Sequence, residues 1–331
     1  MKFPPIYKDD SADLKLLKKM TIAVIGYGNQ ARAHVLNLMD SNMQAVVGLR
    51  ENSPNKGKAE SDGCRVCSIE DAIKISDIIA LLIPDQEMSA AFTSYIAQYL
   101  RKGQYLLFAH GYNIHYGTVN PPEYVNVILA APSGAGTELR KKYKEGSGIP
   151  GVFAVNQDPS GNSKEVLLAY SKAIGLTRIG MVETTFKEET ETDLFGEQAL
   201  LTGGIPKLIQ SSYKVLLERK YNPAVAWLVC YYELKTIVDV FHKKGFEYLG
   251  KVISDTAEYG GITRGNLLVN ESAEKELKAI LSEIETGKFH KEWMQETQDG
   301  LPHLKSLRDK EALDPLEEIG KYMLEELFGE K

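Results

Sequence analysis

An acidic segment near the middle of the chain has the side chains and the spacing of a metal site. Five carboxylates lie within the ten residues from Glu188 to Glu197, and apolar sequence follows directly. If the segment is helical, Glu189, Asp193 and Glu197 project from one face, where their oxygens could hold a hard cation. The same residues suit a solvent-exposed helix start, because the helix dipole stabilises carboxylates in the first turn. On spacing alone, the second interpretation is the better one.

A glycine-rich turn near the start of the chain predicts a dinucleotide site. The apolar residues 20–25 lead into a G-x-G-x-x-A pattern formed by Gly26, Gly28 and Ala31, and apolar residues then recur at helical spacing. In such a turn the first glycine reverses the chain, the second lets the backbone approach a pyrophosphate, and the small third residue allows close packing. Further apolar runs at residues 44–49 and 78–83 complete a βαβ arrangement.

The residues after the second predicted strand favour NADP over NAD. NAD-binding folds usually carry an acidic residue here for the ribose 2′-hydroxyl. This chain has Arg50, Ser53 and Lys56, which are the donors that a 2′-phosphate requires, and a guanidinium can bind phosphate through two hydrogen bonds. Glu51 lies among them and would favour the free hydroxyl if its side chain points inward. We therefore predict NADPH as the cofactor.

Length and periodicity predict the elements that position these residues. The chain has 331 residues, 43% of them hydrophobic, which is enough for roughly two domains. Apolar strand-like runs alternate with helical segments in the front part, and from Leu200 onward the apolar residues recur at helical spacing only. The expected fold is an α/β Rossmann domain followed by an all-helical domain.

Charge and hydropathy exclude several classes of protein. The 39 basic and 45 acidic residues give a net charge of -6 without a basic cluster, so we expect a small-molecule substrate and no nucleic acid. No apolar run reaches the roughly 18 residues of a membrane span, and the start of the chain lacks the apolar core of a signal peptide. We therefore expect a cytoplasmic protein without a membrane partner. The three cysteines are too few for a disulfide framework.

Five further motifs follow along the chain, and they are AHGYNIHYG at 109–117, APSGAG at 131–136, ETTF at 183–186, YELKTIVD at 232–239 and ISDTAEYG at 253–260. In this order they resemble the ketol-acid reductoisomerase family, whose members couple an alkyl migration to NADPH-dependent reduction. The likeness extends from Ala12 to beyond Gly265. It implies the short form of the family, with an NADP-binding Rossmann domain over residues 1–182. A helical, knotted domain over residues 183–331 would then form a homodimer and carry the metal and substrate site.

The resemblance implies roles for individual residues. Asp193 and Glu197 match magnesium ligands, and Glu233 matches a ligand of a second ion that is supplied across the dimer. Ser254 matches a residue that contacts the substrate carboxylate, and His110 matches the active-site histidine beside the nicotinamide. On this basis His110, Glu233 and Ser254 are the predicted catalytic residues, and Glu188, Glu189 and Glu191 are ordinary first-turn carboxylates. The predicted cofactor-binding residues are Gly26, Tyr27, Gly28, Asn29, Gln30, Arg50, Ser53, Lys56, Pro84, Asp85, His110 and Gly136.

Two residues depart from the family's pattern. The family usually has a lysine where this chain has Ser133, and a glutamate one helical turn before Glu233, where this chain has Val229. A valine cannot coordinate a metal, so the sequence leaves open whether the chain binds two Mg²⁺ ions, one or none. One positive and one negative charge are lost together, which indicates a remodelled site, because an unpaired buried charge is costly.

These departures favour an NADPH-dependent reductase that acts on a C=O or C=N bond of a small carboxylate-bearing substrate. Alkyl migration needs a deprotonated hydroxyl and a polarised ketone, which two bridged cations supply, so the losses put this step in question first. Hydride transfer needs a positioned nicotinamide and one polarised bond. Two alternatives stay open, an orthodox ketol-acid reductoisomerase of branched-chain amino-acid biosynthesis and a catalytically silent NADPH-binding dimer. Trp227 and Tyr231 are either core residues or the wall of a reshaped pocket.

Overall fold

The computed structural model describes residues 3–329, and its front part is built on one mixed sheet. The sheet has nine strands in the order β1-β9-β8-β7-β6-β5-β2-β3-β4. The strands are β1 Ile6–Tyr7, β2 Thr21–Ile25, β3 Gln44–Leu49, β4 Val66–Ser68, β5 Ile78–Leu81, β6 Tyr105–Phe108, β7 Asn126–Pro132, β8 Gly151–Gln157 and β9 Met181–Glu183. The predicted strands therefore form, although β5 ends at Leu81, two residues before its expected end.

Strands β2 to β7 form the parallel part of the sheet and have the Rossmann order. Val24 of β2 pairs with Val47 of β3 on one side and with Ala80 of β5 on the other. Successive strands are added outward from β2 in both directions, so the topological switch point lies between β2 and β5. Ligands of such sheets bind beyond the carboxyl ends of the strands at this point. The α/β Rossmann prediction is confirmed.

Helices cover both faces of the sheet. Along β2, Ile22 and Val24 belong to one buried cluster, while Ala23 and Ile25 belong to the other, as the alternation of a strand requires. The helices are α1 Asn29–Asp40, α2 Lys56–Ser61, α3 Ile69–Ile75, α4 Asp85–Ala91, α5 Tyr112–His115, α6 Gly136–Lys144, α7 Ser163–Ile174 and α8 Phe186–Gly196. Helix α4 continues through a π-helical turn, Phe92–Ile96, and a 3₁₀ turn, Ala97–Tyr99.

The chain divides into two compact units after Thr190, within α8. In the second unit the described residues are helical and form no strand, as the periodicity predicted. Two π-helical turns occur in this unit, Glu197–Leu201 directly after α8 and Leu228–Tyr232 further along the chain. The helices are α9 Gly204–Glu218, α10 Pro223–Trp227, α11 Glu233–Lys244, α12 Phe246–Val252, α13 Asp255–Leu268, α14 Glu271–Glu285, α15 Lys288–Gln298, α16 Pro302–Ala312 and α17 Pro315–Phe328.

The second unit has a small core and many exposed apolar side chains. Trp227 is fully buried and packs with Tyr213 and Leu316, so it is a core residue, whereas Tyr231 beside it remains exposed. Large apolar side chains are exposed on α13 and at its end, among them Tyr259 and Leu267. Within residues 3–329 no helix is both long enough and apolar enough to cross a membrane.

Candidate active site and cofactor site

The glycine turn after β2 has the geometry that a dinucleotide requires. Gly26 has φ +102°, and a Cβ there would lie 2.7 Å from the carbonyl oxygen of Leu82, so only glycine fits. Gly28 precedes the first residue of α1, and a Cβ added to it would meet no atom within 4 Å. The backbone at the start of α1 is therefore open to a phosphate, which the N-terminus of a helix attracts.

The loop after β7 closes one side of this turn. A Cβ on Gly136 would lie 2.2 Å from the carbonyl oxygen of Asn29, so the two loops are in backbone contact. The Gln30 side-chain amide donates to the carbonyl oxygen of Gly134 at 2.9 Å. Three of the predicted cofactor residues, Asn29, Gln30 and Gly136, are thus brought together by the fold.

Tyr27 and Arg32 attach the glycine turn and the start of α1 to the end of α2, because both bind the carboxylate of Asp62. The Tyr27 hydroxyl donates to Asp62 at 2.6 Å, and Arg32 binds the same carboxylate at 2.6 and 2.9 Å. The hydrogen bonds from Arg32 lower the pKa of Asp62 to about 2, and burial raises the pKa of Tyr27. The side-chain hydroxyl of Tyr27 is therefore committed to the protein, which leaves its backbone for a cofactor.

Two cavities lie in the front unit, and one of them borders the start of α1. One of about 320 Å³ is bordered by Gly28, Asn29, Lys58 and Gly136, which is the expected position of a pyrophosphate. The other, of about 750 Å³, lies at the carboxyl ends of β3 and β4 and is lined by residues that include Arg50. Both are large enough to be parts of a nucleotide site.

The three predicted 2′-phosphate donors occupy successive turns after β3. Arg50 lines the larger cavity together with Glu51, and its guanidinium lies 3.3 Å from the carboxylate of Glu87. The Ser53 hydroxyl accepts a hydrogen bond from the backbone N–H of Asn55 at 3.4 Å, and Lys56 begins α2. Only Arg50 of the three donors is therefore placed on the cavity itself, and it faces a competing carboxylate.

His110 follows β6 and is held by a carboxylate from α8. Its Nδ1 lies 3.1 Å from Oε1 of Glu189, and the backbone N–H of Gly111 donates to Oε2 of the same residue at 2.7 Å. A Cβ on Gly111 would lie 2.6 Å from the Thr190 hydroxyl, so the loop and the helix touch closely. A carboxylate in this position orients the imidazole ring and sets its tautomer.

Glu189 corrects one of our predictions. The sequence placed it with Glu188 and Glu191 as an ordinary first-turn carboxylate, but Glu189 and Glu191 are buried and only Glu188 is exposed. Spacing could not reveal this, because Glu189 is buried by its approach to a loop that lies 78 residues earlier in the chain. The only signal in the sequence for a special role of Glu189 was that it shares a helix face with Asp193. We gave this less weight than the stabilisation of first-turn carboxylates by the helix dipole.

Asp85 holds the other end of the loop that carries His110. The Asn113 side chain donates to Asp85 at 3.1 Å and accepts from the Thr118 hydroxyl at 2.6 Å. The pKa of Tyr112 is raised, mainly because its hydroxyl is buried and also because the negative charge of Asp85 is nearby. Pro84 and Asp85 follow β5 and His110 follows β6, so these predicted residues meet at the carboxyl edge of neighbouring strands.

The predicted metal ligands lie on exposed positions of the helical part. Asp193 is on α8, and Glu197 begins the π-helical turn that follows it. Glu233 begins α11, and the Ser254 hydroxyl caps α13 by accepting from the N–H of Ala257 at 3.2 Å. All four side chains are exposed. Their roles as ligands or substrate contacts remain predictions, and the cap gives Ser254 a structural role as well.

The two residues that depart from the family's pattern are also accessible. Ser133 is exposed at the end of β7, where its backbone N–H donates to Pro150. Val229 lies in the π-helical turn before Glu233 and is 53% exposed. Neither side chain is needed to fill a core, so packing does not explain either departure.

Comparison with protein-family models covers both units. Residues 16–180 match the model described as acetohydroxy acid isomeroreductase, NADPH-binding domain. Residues 186–327 match the model described as ketol-acid reductoisomerase, C-terminal domain. The boundary between the two matches lies near β9 and the start of α8, a few residues before the division of the chain into compact units after Thr190.

Individual relatives agree with the models. A protein from Methanocaldococcus jannaschii named ketol-acid reductoisomerase (NADP(+)) is 46% identical over 316 residues, which are 96% of each chain. The solved structure of an NADH-preferring ketol-acid reductoisomerase from an uncultured archaeon has a TM-score of 0.95 and 39% identity, over 98% of this chain and all of that one. A semialdehyde dehydrogenase NAD-binding protein from Cupriavidus necator shares only the fold, with a TM-score of 0.62 and 17% identity.

An open glycine turn at the switch point of a Rossmann sheet, with an NADPH-binding family match over it, defines an NADP-dependent oxidoreductase. The helical unit narrows this class, because its sequence matches a domain specific to one kind of such enzyme. The chain belongs to the ketol-acid reductoisomerase family, in its short form, as the sequence motifs predicted.

Proposed function

We propose that the chain uses NADPH to reduce a C=O or C=N bond of a small carboxylate-bearing substrate and has lost the alkyl-migration step. The observation that carries this proposal is Val229, an exposed aliphatic side chain on the turn before Glu233. Migration needs the strongest polarisation of the substrate, so it is the first step to fail when a ligand position becomes aliphatic. Ser133, in place of a lysine, removes a positive charge as well.

The front unit retains what hydride transfer needs. The glycine turn leaves the start of α1 open for the pyrophosphate, and Arg50 is the donor best placed for a 2′-phosphate. His110, oriented by Glu189, can donate or hold a proton at its ring when the carbonyl or iminium is reduced. A lower Michaelis constant for NADPH than for NADH would support this cofactor choice, and the reverse would overturn it.

The carboxylates of Asp193, Glu197 and Glu233 fit Mg²⁺, which prefers oxygen ligands and keeps several waters. Their exposed positions leave room for those waters and for substrate oxygens. A bound Mg²⁺ would polarise the bond that is reduced. Because a ligand of the native state stabilises it, Mg²⁺ should raise the melting temperature of the wild type and not of Asp193→Asn. An unchanged wild-type melting temperature would remove the metal from this proposal.

The second candidate function is that of an orthodox ketol-acid reductoisomerase. Its support is the 46% identity to the Methanocaldococcus jannaschii protein of that name over 96% of both chains. Such an enzyme would tolerate Ser133 and Val229. In both cases we infer a cytoplasmic homodimer, and the family resemblance is what supports the dimer.

Two substrates separate these candidates. The oxidation of NADPH is followed with Mg²⁺ present and either 2-acetolactate or its already rearranged 3-hydroxy-2-keto acid. We expect turnover of the rearranged acid to be higher on the order of 100-fold, since removal of one group that stabilises developing charge costs roughly 10² to 10³ in kcat. Comparable turnover of both acids would establish the orthodox enzyme. Turnover of neither, with NADPH bound, would favour the catalytically silent dimer.

A restored variant tests the cause directly. Ser133→Lys combined with Val229→Glu should raise the turnover of 2-acetolactate and leave the reduction of the rearranged acid within about threefold. The control combines Ser133→Lys with Val225→Glu, because Val225 is also an exposed valine but lies one turn earlier. Equal gains in both double variants would show that position 229 is not the missing ligand.

A further inference from the structure

The larger cavity lies on the adenosine side of the dinucleotide site. It is bordered by Leu49, the last residue of β3, and Ser68, the last residue of β4. The glycine turn follows β2, the neighbour of β3, whereas His110 follows β6, which lies on the other side of the switch point. A dinucleotide whose pyrophosphate lies at the start of α1 and whose nicotinamide points toward β6 must place its adenosine toward β3 and β4.

Two tyrosines of the segment after α4 line this cavity, and they differ in what they already contact. The Lys74 ammonium lies 4.9 Å from the ring centroid of Tyr99, and a hydrogen bond to Glu70 raises the pKa of the Tyr99 hydroxyl. Tyr95 is 50% exposed, and within residues 3–329 the structure gives its ring no hydrogen bond or aromatic partner. Tyr99 is therefore a fixed wall, whereas a face of Tyr95 is available.

The backbone that carries Tyr95 is anchored on both sides. Tyr95 lies in the π-helical turn Phe92–Ile96, and the first and last residues of that turn are buried in the core under the sheet. An aromatic ring held this way loses little freedom when a ligand stacks on it, which is the condition for a useful contact. Single π-helical turns inside α-helices are also frequent at functional sites.

We propose that Tyr95 is the residue on which the adenine of NADPH stacks. This inference rests on the proposed NADPH site and adds a recognition residue to it. It agrees with the position of Arg50, because the 2′-phosphate is attached to the adenosine ribose and Arg50 lines the same cavity. A cavity of about 750 Å³ has room for the adenosine half of the cofactor.

The stacking contact can be measured with the full-length protein and two ligands. Tyr95→Ala should weaken NADPH binding about tenfold, since a base on an aromatic ring contributes roughly 1–3 kcal/mol. Tyr95→Phe retains the ring and should bind within about twofold of the wild type. Reduced nicotinamide mononucleotide lacks the adenosine, so its affinity should be the same in all three proteins. Tyr124→Ala, which removes an exposed tyrosine outside the cavity, is the matched control.

A fluorescent analogue gives a second measurement that folding defects do not mimic. The etheno-adenine of 1,N6-etheno-NADP is quenched when it stacks on an aromatic ring, so quenching should occur in the wild type and Tyr95→Phe and be lost in Tyr95→Ala at saturating ligand. Equal NADPH affinity and equal quenching in Tyr95→Ala would overturn the inference while leaving the proposed function intact. Failure of the wild type to bind NADPH at all would instead remove the proposed function.

Discussion

At the scale of single residues, Glu189 is the side chain that the sequence described least well. Its carboxylate accepts from the backbone of Gly111 and contacts the His110 ring, so it connects α8 to the loop after β6. A helical spacing argument treats Glu188 and Glu189 as equivalent first-turn acids, because the dipole acts on both alike. Burial distinguishes them, and burial depends on which distant loop the helix meets.

Removal of the Glu189 carboxylate should reduce both stability and turnover. Glu189→Ala leaves the N–H of Gly111 buried without its acceptor, which should lower the free energy of unfolding by about 1–3 kcal/mol. His110 also loses the group that orients it, so kcat should fall by tenfold or more at unchanged NADPH affinity. Urea unfolding and steady-state kinetics measure the two effects.

The neighbouring residue supplies the control. Glu188→Ala removes an exposed carboxylate from the same helix turn and should change the free energy of unfolding by less than about 0.5 kcal/mol. If Glu189→Ala retained full kcat, the contact would be structural only, and His110 would need no orienting group.

At the scale of secondary-structure elements, α1 and α7 meet through a buried polar pair. Nδ1 of His34 lies 2.9 Å from the Tyr170 hydroxyl, and both side chains are fully buried. Nε2 of His34 is also buried, without a hydrogen-bond partner in the part of the chain that the structure describes. Burial lowers the pKa of His34 to about 3, so the ring is neutral in the folded protein near neutral pH.

This pair should make the protein sensitive to mild acid. Between the ordinary histidine pKa near 6.5 and the folded value of about 3, the unfolded chain binds a proton that the folded chain does not. The free energy of unfolding therefore falls as the pH falls through this window and is unaffected by His34 above it. From pH 7 to pH 5, the wild type should lose roughly 2 kcal/mol more than His34→Gln in urea unfolding.

An exposed histidine tests whether the effect belongs to the buried pair. His242→Gln removes a histidine from the surface of α11 and should leave the wild-type acid sensitivity in place. Parallel acid profiles for the wild type and His34→Gln would show that His34 is protonated in the folded protein.

The elements themselves were largely predictable, and the reasons are physical. The strand at Tyr105–Phe108 and the glycine turn are indicated by a continuous apolar run and by a turn that only glycine can make. The competition of Glu87 for Arg50 and the cap formed by Ser254 could not be predicted, because they depend on where the chain places each side chain. The periodicity also could not separate Trp227, at the end of α10, from Tyr231 in the π-helical turn that follows it, since only packing decides which of the two is buried.

At the scale of the whole molecule, the second unit exposes more apolar surface than its core accounts for. Tyr259, Ile262, Leu267, Leu268 and Val269 are all exposed on α13 and at its end. Soluble proteins rarely expose contiguous apolar patches of more than a few hundred Å² unless another surface covers them. This exposure supports the proposed homodimer.

A charge on this surface should weaken the dimer. Leu267 is 69% exposed, and Leu267→Asp places a charge where a partner subunit would desolvate it, so the dimer should dissociate at micromolar concentration. Leu313 is 83% exposed at the end of α16, and Leu313→Asp is the control that should leave the dimer intact. Light scattering after size-exclusion chromatography gives the two masses, and an undisturbed Leu267→Asp dimer would place the interface elsewhere.

The π-helical turns have a consequence for how this chain is compared with any other. Each of them accommodates one more residue per turn than an α-helix does, so the side chains that follow are rotated by about 100° while the helix axis continues. One such turn begins at Glu197 and another ends just before Glu233. Counting residues across them therefore does not give the direction of a side chain. A relative that lacks one of these turns could keep every motif in the same order and still point a carboxylate about 100° away from its direction in this chain.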